Sequence, residues 1–71
     1  MRVKVDMESN ALYFRLSEEE IVESEETSSG IILDYDKDGR VVGIEILNIK
    51  NQFSMEDLSN MKVELPTTKA G

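Results

Sequence analysis

The segment from Asp34 to Glu45 carries the residues with the clearest capacity for chemistry. Asp34, Asp36 and Asp38 stand at alternate positions before Gly39, and Glu45 follows after five more residues. This spacing matches the calcium loop of an EF-hand, in which aspartate oxygens, a turn glycine and a terminal bidentate glutamate surround the ion. One interpretation is therefore a calcium- or metal-binding module that uses these four carboxylates.

The sequence around this motif predicts a β-hairpin instead. Two β-rich runs within residues 31–49 flank Asp38-Gly39, a dipeptide favoured in two-residue type I′ turns because both central residues need positive φ. An EF-hand loop needs a helix on each side, whereas these flanks contain β-branched residues interrupted by Gly30 and Gly43. We therefore expect a hairpin and no metal site, with calcium binding as the alternative.

A two-residue loop determines which residues of the hairpin face each other. The apolar pairs are then Tyr35 with Val42, Leu33 with Ile44, and Ile31 with Ile46. A three-residue loop would move the apolar residues of the second strand to the opposite face, which makes the two-residue register the favoured one. In that register Asp34 and Asp36 point to solvent, Asp38 lies in the turn, and Glu45 lies opposite Ile32.

The first half of the chain predicts two more strands and an acidic edge. Apolar residues alternate around Val3 and Val5 and again over Ala11–Leu16, on either side of a turn at 6–10. Residues 17–29 contain six glutamates, and we predict a weak edge strand over Ile21–Thr27. Acidic side chains there oppose strand addition by another chain; the functional alternative is an acidic docking surface.

The C-terminal part predicts a short helix. Ser54 suits the N-cap and Asp57 the N3 position, while Phe53 can pack against Leu58, so the helix is expected over Met55–Met61. Residues 62–66 add either a last strand or an arm that reaches across a dimer. Pro66 ends this segment, and 67–71 is predicted to be a flexible tail.

These elements predict one domain over residues 1–66, mainly β (α+β). We expect a small antiparallel β-meander with a short C-terminal helix. A chain of 71 residues without cysteine or histidine has neither disulfides nor a zinc site to support a thin sheet, so a homodimer is the expected support.

Composition excludes several classes of function. The chain has 8 basic and 15 acidic residues, and its formal charge of −7 would repel nucleic acid. Without histidine, cysteine or a glycine-rich phosphate loop, the common catalytic groups and cofactor sites are missing. We therefore expect a protein that is not an enzyme, with no catalytic residues and no cofactor. The absence of a signal peptide or an apolar segment of about 18 residues predicts a cytoplasmic protein that does not bind membranes.

Several segments together resemble a known family. They are Asp6, the run from Asn10 to Leu16, the run from Gly30 to Gly39, and the run from Val42 to Leu47. This combination is similar to the small prokaryotic family catalogued as domain of unknown function 2283, over roughly residues 1–50. The resemblance implies a compact β-meander with a variable C-terminal end, and it transfers no catalytic or binding residue. Members are sometimes encoded beside a small putative toxin, which implies an antitoxin-like role.

The leading hypothesis from sequence is a homo-oligomeric interaction module that binds a basic protein. Its acidic surface or C-terminal arm would form the contact, and the partner could be a toxin. Calcium binding by Asp34, Asp36, Asp38 and Glu45 is the alternative.

Overall fold

The computed structural model describes residues 1–67 and contains one antiparallel sheet. Its strands are β1 (Arg2–Asp6), β2 (Ala11–Arg15), β3 (Glu23–Ser28), β4 (Ile31–Tyr35) and β5 (Val41–Leu47). A 3₁₀ turn (Ile49–Asn51) and a short helix, α1 (Met55–Ser59), follow the sheet. The prediction of a mainly β, antiparallel fold with one short C-terminal helix is confirmed. No helix within residues 1–67 is long and apolar enough to cross a membrane.

The order of the strands differs from that of a simple meander. The sheet runs β1-β2-β5-β4-β3, so β5 lies at its centre and the acidic β3 at one edge. Residues 16–22 cross from β2 to that edge: the N–H groups of Leu16 and Ser17 donate to the carbonyl of Val42 at 2.8 and 3.3 Å, and that of Val22 donates to Tyr35 at 2.9 Å. This order gives the central position, which has neighbours on both sides, to the long apolar β5.

The first hairpin agrees with its prediction. The N–H of Ser9 donates to the Asp6 carboxylate at 3.1 Å, and Asn10 adopts the left-handed conformation with φ 58°. This is the chemistry expected of an Asp- and Asn-containing turn. Facing pairs across the hairpin include Val3 with Phe14 and Val5 with Leu12.

The second hairpin closes differently from its prediction. Asp36 donates its N–H to the Arg40 carbonyl at 3.0 Å, and Gly39 donates to the Asp36 carbonyl at 3.0 Å. Gly39 has φ +79°, whereas Asp38 is not among the residues with positive φ. The loop therefore has three residues, a type I turn followed by a left-handed glycine, and the predicted two-residue type I′ turn is wrong.

A bulge restores the register that the loop would otherwise shift. The strands pair Tyr35 with Val41 and then Asp34 with Gly43, so Val42 is an extra residue on β5. The predicted pairing of Tyr35 with Val42 is wrong. The predicted pairs of Leu33 with Ile44 and Ile31 with Ile46 are confirmed, and Glu45 lies opposite Ile32. The alternation of apolar side chains thus determines the register, and the bulge compensates for the longer loop.

This register gives the sheet two faces of opposite character. The apolar face is formed by Val3, Val5, Leu12, Phe14, Ile31, Leu33, Ile44 and Ile46. The polar face carries Lys4, Tyr13, Arg15, Ser24, Asp34 and Glu45, together with the apolar Ala11, Ile32 and Leu47. In a single-layer sheet, the apolar face needs a cover from outside the strands.

The C-terminal residues cover part of the apolar face. Ser54 is the N-cap and Asp57 is at N3, as predicted, and the structure adds a capping box: Asp57 donates its N–H to Ser54 Oγ at 3.0 Å, and Ser54 donates its N–H to the Asp57 carboxylate at 3.5 Å. Phe53 and Leu58, the two residues of the predicted staple, both line one groove against the sheet. The helix ends at Ser59, two residues earlier than predicted.

Residues 62–66 form neither a helix nor a strand in this chain, and they are exposed. The predicted last strand is therefore absent from the described residues. The predicted tail, 67–71, lies outside the described residues except for Thr67.

The buried apolar core is small. Among the described residues it contains Ala11, Leu12, Val42 and Ile49, each at most 5% exposed. Asn10 holds the last of these in place: its carbonyl accepts the N–H of Ile49 at 3.3 Å, and its side-chain oxygen accepts the N–H of Lys50 at 2.8 Å. With so few fully buried residues, the monomer is expected to have a small free energy of unfolding.

Replacing Gly39 with Val should destabilise the hairpin. A Cβ at Gly39 would meet no atom within 4 Å, so the cost comes from the left-handed backbone alone and should be about 1–2 kcal/mol. Urea unfolding measures this cost. Gly39→Asn is the control, because asparagine tolerates this conformation and should retain most of the stability. Equal stability of the Val variant and the wild type would contradict the proposed loop.

Candidate functional site

Three side chains from three strands meet at the centre of the polar face. Tyr13 Oη donates to Asp34 Oδ2 at 3.0 Å, and Ser24 Oγ donates to Asp34 Oδ1. The second of these hydrogen bonds is 2.6 Å long, as expected for a hydroxyl that donates to a carboxylate. Asp34 is only 8% exposed, and each of its oxygens accepts a hydrogen bond, which is what a buried carboxylate requires.

Gly43 makes this cluster possible. It lies on β5 between Asp34 on β4 and Arg15 on β2. A Cβ there would lie 2.6 Å from Tyr13 Oη and 2.8 Å from Asp34 Oδ2. The tyrosine therefore reaches Asp34 across a strand position that must have no side chain.

The surroundings keep Tyr13 in its protonated form. Burial raises the pKa of the Tyr13 hydroxyl above its ordinary value of 10.0, and the hydrogen bond to Asp34 raises the pKa further, while Arg15 acts in the opposite direction. At neutral pH the hydroxyl is thus a hydrogen-bond donor. This arrangement suits a structural link between strands and does not activate the tyrosine as a base or nucleophile.

An open concavity of roughly 340 Å³ lies beside this cluster. It is lined by Lys4, Asp6, Ser9, Ala11, Tyr13, Asp34 and Glu45. Lys4 and Asp6 belong to β1, so the concavity extends from the edge of the sheet to its centre. Its walls can supply carboxylate acceptors and one ammonium donor to a polar group.

The carboxylates of the EF-hand-like motif do not converge on one point. Asp34 is bonded as described, and Asp36 Oδ1 accepts the N–H groups of Asp38 and Arg40, each at 2.9 Å. Asp38 is exposed in the turn, and Glu45 lines the concavity. Within residues 1–67 no three His, Cys, Asp or Glu side chains are grouped so that they could hold a metal ion.

The prediction that Asp34 and Asp36 point to solvent is wrong. Asp34 does lie on the face opposite the apolar residues, but the side chains of Tyr13 and Ser24 cover it there. Asp36 is 6% exposed because its own loop folds around it. The alternation of side chains along the strand predicted the face of Asp34 correctly, whereas the burial of Asp34 depends on neighbours that are distant in sequence.

The second feature that could serve function is the acidic edge. We define it as Glu19, Glu20, Glu23, Glu25 and Glu26. All five are exposed, as are all six residues of β3, and no strand among residues 1–67 pairs with its outer side. The edge strand predicted over Ile21–Thr27 is present over Glu23–Ser28. Glu18, immediately before, is paired with Arg2 at 2.9 Å.

Of these features, the hydrogen-bonded cluster was missed from sequence. The one available signal was Gly43, because a glycine inside a strand often marks the close approach of another group. It did not identify Tyr13 or Asp34 as that group.

Gly43→Ala should destabilise the fold by about 1–3 kcal/mol, because the added methyl group overpacks the cluster. Combining it with Tyr13→Phe removes the nearest clashing atom, so the double variant should lose less stability than the sum of the single losses. Urea unfolding of the wild type, the two single variants and the double variant measures the coupling between the two substitutions. Tyr35→Phe is the matched control, since Tyr35 lies on the other face and its effect should add. If the stability losses of Gly43→Ala and Tyr13→Phe also simply add, the close approach of Tyr13 Oη to position 43 is refuted.

Asp36 should contribute to the loss of stability in acid. The N–H groups of Arg40, and to a smaller extent Asp38, lower the pKa of Asp36 below its ordinary value of 3.8, although burial opposes this. A lowered pKa gives stability that is fully present above the unfolded value and is lost as pH falls through the folded value. Asp36→Asn should therefore lose less stability than the wild type below about pH 4.

Urea midpoints measured across acidic pH test this expectation. Asp38→Asn is the control. It removes a carboxylate from the same loop, but Asp38 is exposed and the two loop hydrogen bonds are accepted by Asp36. A wild-type acid response in Asp36→Asn would show that the loop does not couple to this carboxylate.

Comparison with known proteins supports the family resemblance. No curated protein and no solved structure matches the chain. The family model described as protein of unknown function (DUF2283) matches residues 2–50, which include all five strands and end within the 3₁₀ turn. The chain therefore belongs to the DUF2283 family.

Proposed function

We propose that this protein is a non-enzymatic interaction module that binds a basic protein segment along its acidic edge. The observation that carries the proposal is the exposure of all six residues of β3, an outer strand with three glutamates. A strand at the edge of a sheet offers unpaired backbone groups to another strand. The glutamates repel acidic chains and favour one with lysine or arginine.

The distribution of charge supports a basic partner. The formal charge of −7 accelerates the encounter with a positively charged protein, and two more glutamates of the acidic edge precede β3 in the chain. An extended basic segment beside β3 would gain backbone hydrogen bonds and charge pairs along one line.

The polar face supports a non-enzymatic role. Its central tyrosine is held protonated and its central carboxylate is occupied by two hydroxyl donors. The concavity beside them is open to solvent. It therefore offers little of the enclosure that drives the pKa values of a catalytic acid and base apart.

An antitoxin-like role is the specific form of this proposal. In that role the acidic edge would cover a basic surface of a small partner protein and block the activity of that surface. A gene for a small basic protein beside the gene for this chain would be the expected genomic arrangement.

Charge reversal on the edge tests the proposal. In Glu23→Lys/Glu25→Lys/Glu26→Lys, the formal charge rises from −7 to −1, and we expect recovery of a basic partner from the native host to fall by about tenfold or more. Pull-down with the tagged protein, quantified by mass spectrometry at low and high salt, measures this loss. Binding of the wild-type protein should also weaken as salt increases.

Glu8→Lys/Glu56→Lys/Glu64→Lys is the matched control. These three glutamates are exposed and lie outside the acidic edge, and their reversal gives the same net charge. The control should retain the partner. Equal loss of partner recovery in both variants would show that only net charge matters. Full recovery with both variants would reject the acidic edge as the binding surface.

A further inference from the structure

The apolar face is poorly covered even at the centre of the sheet. Leu33, Ile44 and Ile46 lie on the inner strands β4 and β5, yet each remains partly exposed. Toward the margins the exposure increases, to 37% at Ile31 and 49% at Val3. Inner-strand residues of this type are normally buried once a second layer covers them.

Within residues 1–67, the C-terminal segment does not complete the cover. No residue of α1 is buried, and Met55 on this helix is 60% exposed. Between the helix and the sheet an apolar groove of roughly 370 Å³ remains open, lined by Leu12, Phe14, Ile46, Phe53, Asp57, Leu58 and Met61. After the helix, Val63 and Leu65 are 87% and 80% exposed.

The accessible surface is larger than a compact monomer of this mass exposes. It measures 5739 Å², whereas a folded monomer of 8.1 kDa exposes about 4,500 Å². The excess of about 1,200 Å² includes the exposed segment after α1. A second copy that covered both the apolar face and this segment could remove up to about 2,500 Å² in total, an area within the range of permanent homodimers.

We infer that the apolar face is the interface of a homodimer, covered by the same face of a second copy. Four of the five strands place no charged side chain on this face. A basic partner would find no carboxylate on the strands at the centre of this face, and the acidic chain is repelled by anionic membranes. A two-fold contact places apolar residues against identical apolar residues and stacks two sheets into a sandwich.

The acidic edge lies at the margin of this interface. Glu23 and Glu25 share the apolar side of β3 but stand on the outermost strand. They can remain in solvent while the inner strands are covered. The dimer interface and the acidic edge are therefore separate surfaces, and neither proposal depends on the other.

Sedimentation equilibrium of the full chain tests the dimer directly. We expect about twice the chain mass of 8.1 kDa, and a melting temperature that rises with protein concentration. A mass of one chain at every concentration up to the millimolar range would overturn the proposal, whatever else covers the face.

A matched pair of substitutions tests the face. Ile31 on β4 is 37% exposed, and Ile21, in the connection between β2 and β3, is 38% exposed. Ile31→Glu should weaken dimerisation by at least about tenfold, because it places a charge in the apolar contact, whereas Ile21→Glu should leave it unchanged. Equal dimer affinity of both variants and the wild type would place the interface elsewhere and overturn the proposal.

A second measurement covers the case in which Ile31→Glu does not fold. The chain has no cysteine, so Ile31→Cys and Ile21→Cys each provide a single thiol. Labelling at Ile31→Cys should slow as protein concentration increases, and labelling at Ile21→Cys should not. Concentration-independent labelling at both positions would overturn the assigned face.

Discussion

The two-residue periodicity of β5 is the constraint on which the rest of the fold depends. Ile44 and Ile46 must point to one face, which places Gly43 and Glu45 on the other. A shift of one residue would exchange these sets and move the apolar side chains into water, a cost much larger than that of one irregular loop. The chain therefore accepts a three-residue loop and an extra residue at Val42, and keeps the periodicity.

The same constraint organises the polar face. Because Gly43 occupies a central position there, β5 leaves a gap across which Tyr13 on β2 can reach Asp34 on β4. Ser24 then joins β3 to the same carboxylate. The Asp34 carboxylate on β4 thus links β2, across Gly43 of β5, and β3. These hydrogen bonds help to specify the arrangement of the strands on the polar face of the sheet.

Sequence alone predicted the features that depend on local pattern. The strands, the apolar pairs of Leu33 with Ile44 and Ile31 with Ile46, and the N-cap at Ser54 all follow from periodicity or from adjacent residues. The position of β3 at the far edge, the bulge at Val42 and the burial of Asp34 do not, because each depends on groups that meet only in the folded sheet. The EF-hand pattern shows the difference: its context predicted a hairpin rather than an ion site, but the actual partners of its aspartates depend on the fold, in which Asp34 accepts hydroxyl groups and Asp36 accepts loop N–H groups.

The position of the glutamates bears on how such a thin sheet can associate without aggregating. An apolar face and an open edge strand both favour association, but pairing through edges can continue without limit, whereas face-to-face contact with two-fold symmetry ends at two copies. The glutamates of β3 place like charges where two acidic edges would meet, and the apolar face carries none on its other four strands. Charge on this chain therefore opposes the open-ended association of its own copies at β3 and leaves the closed one available.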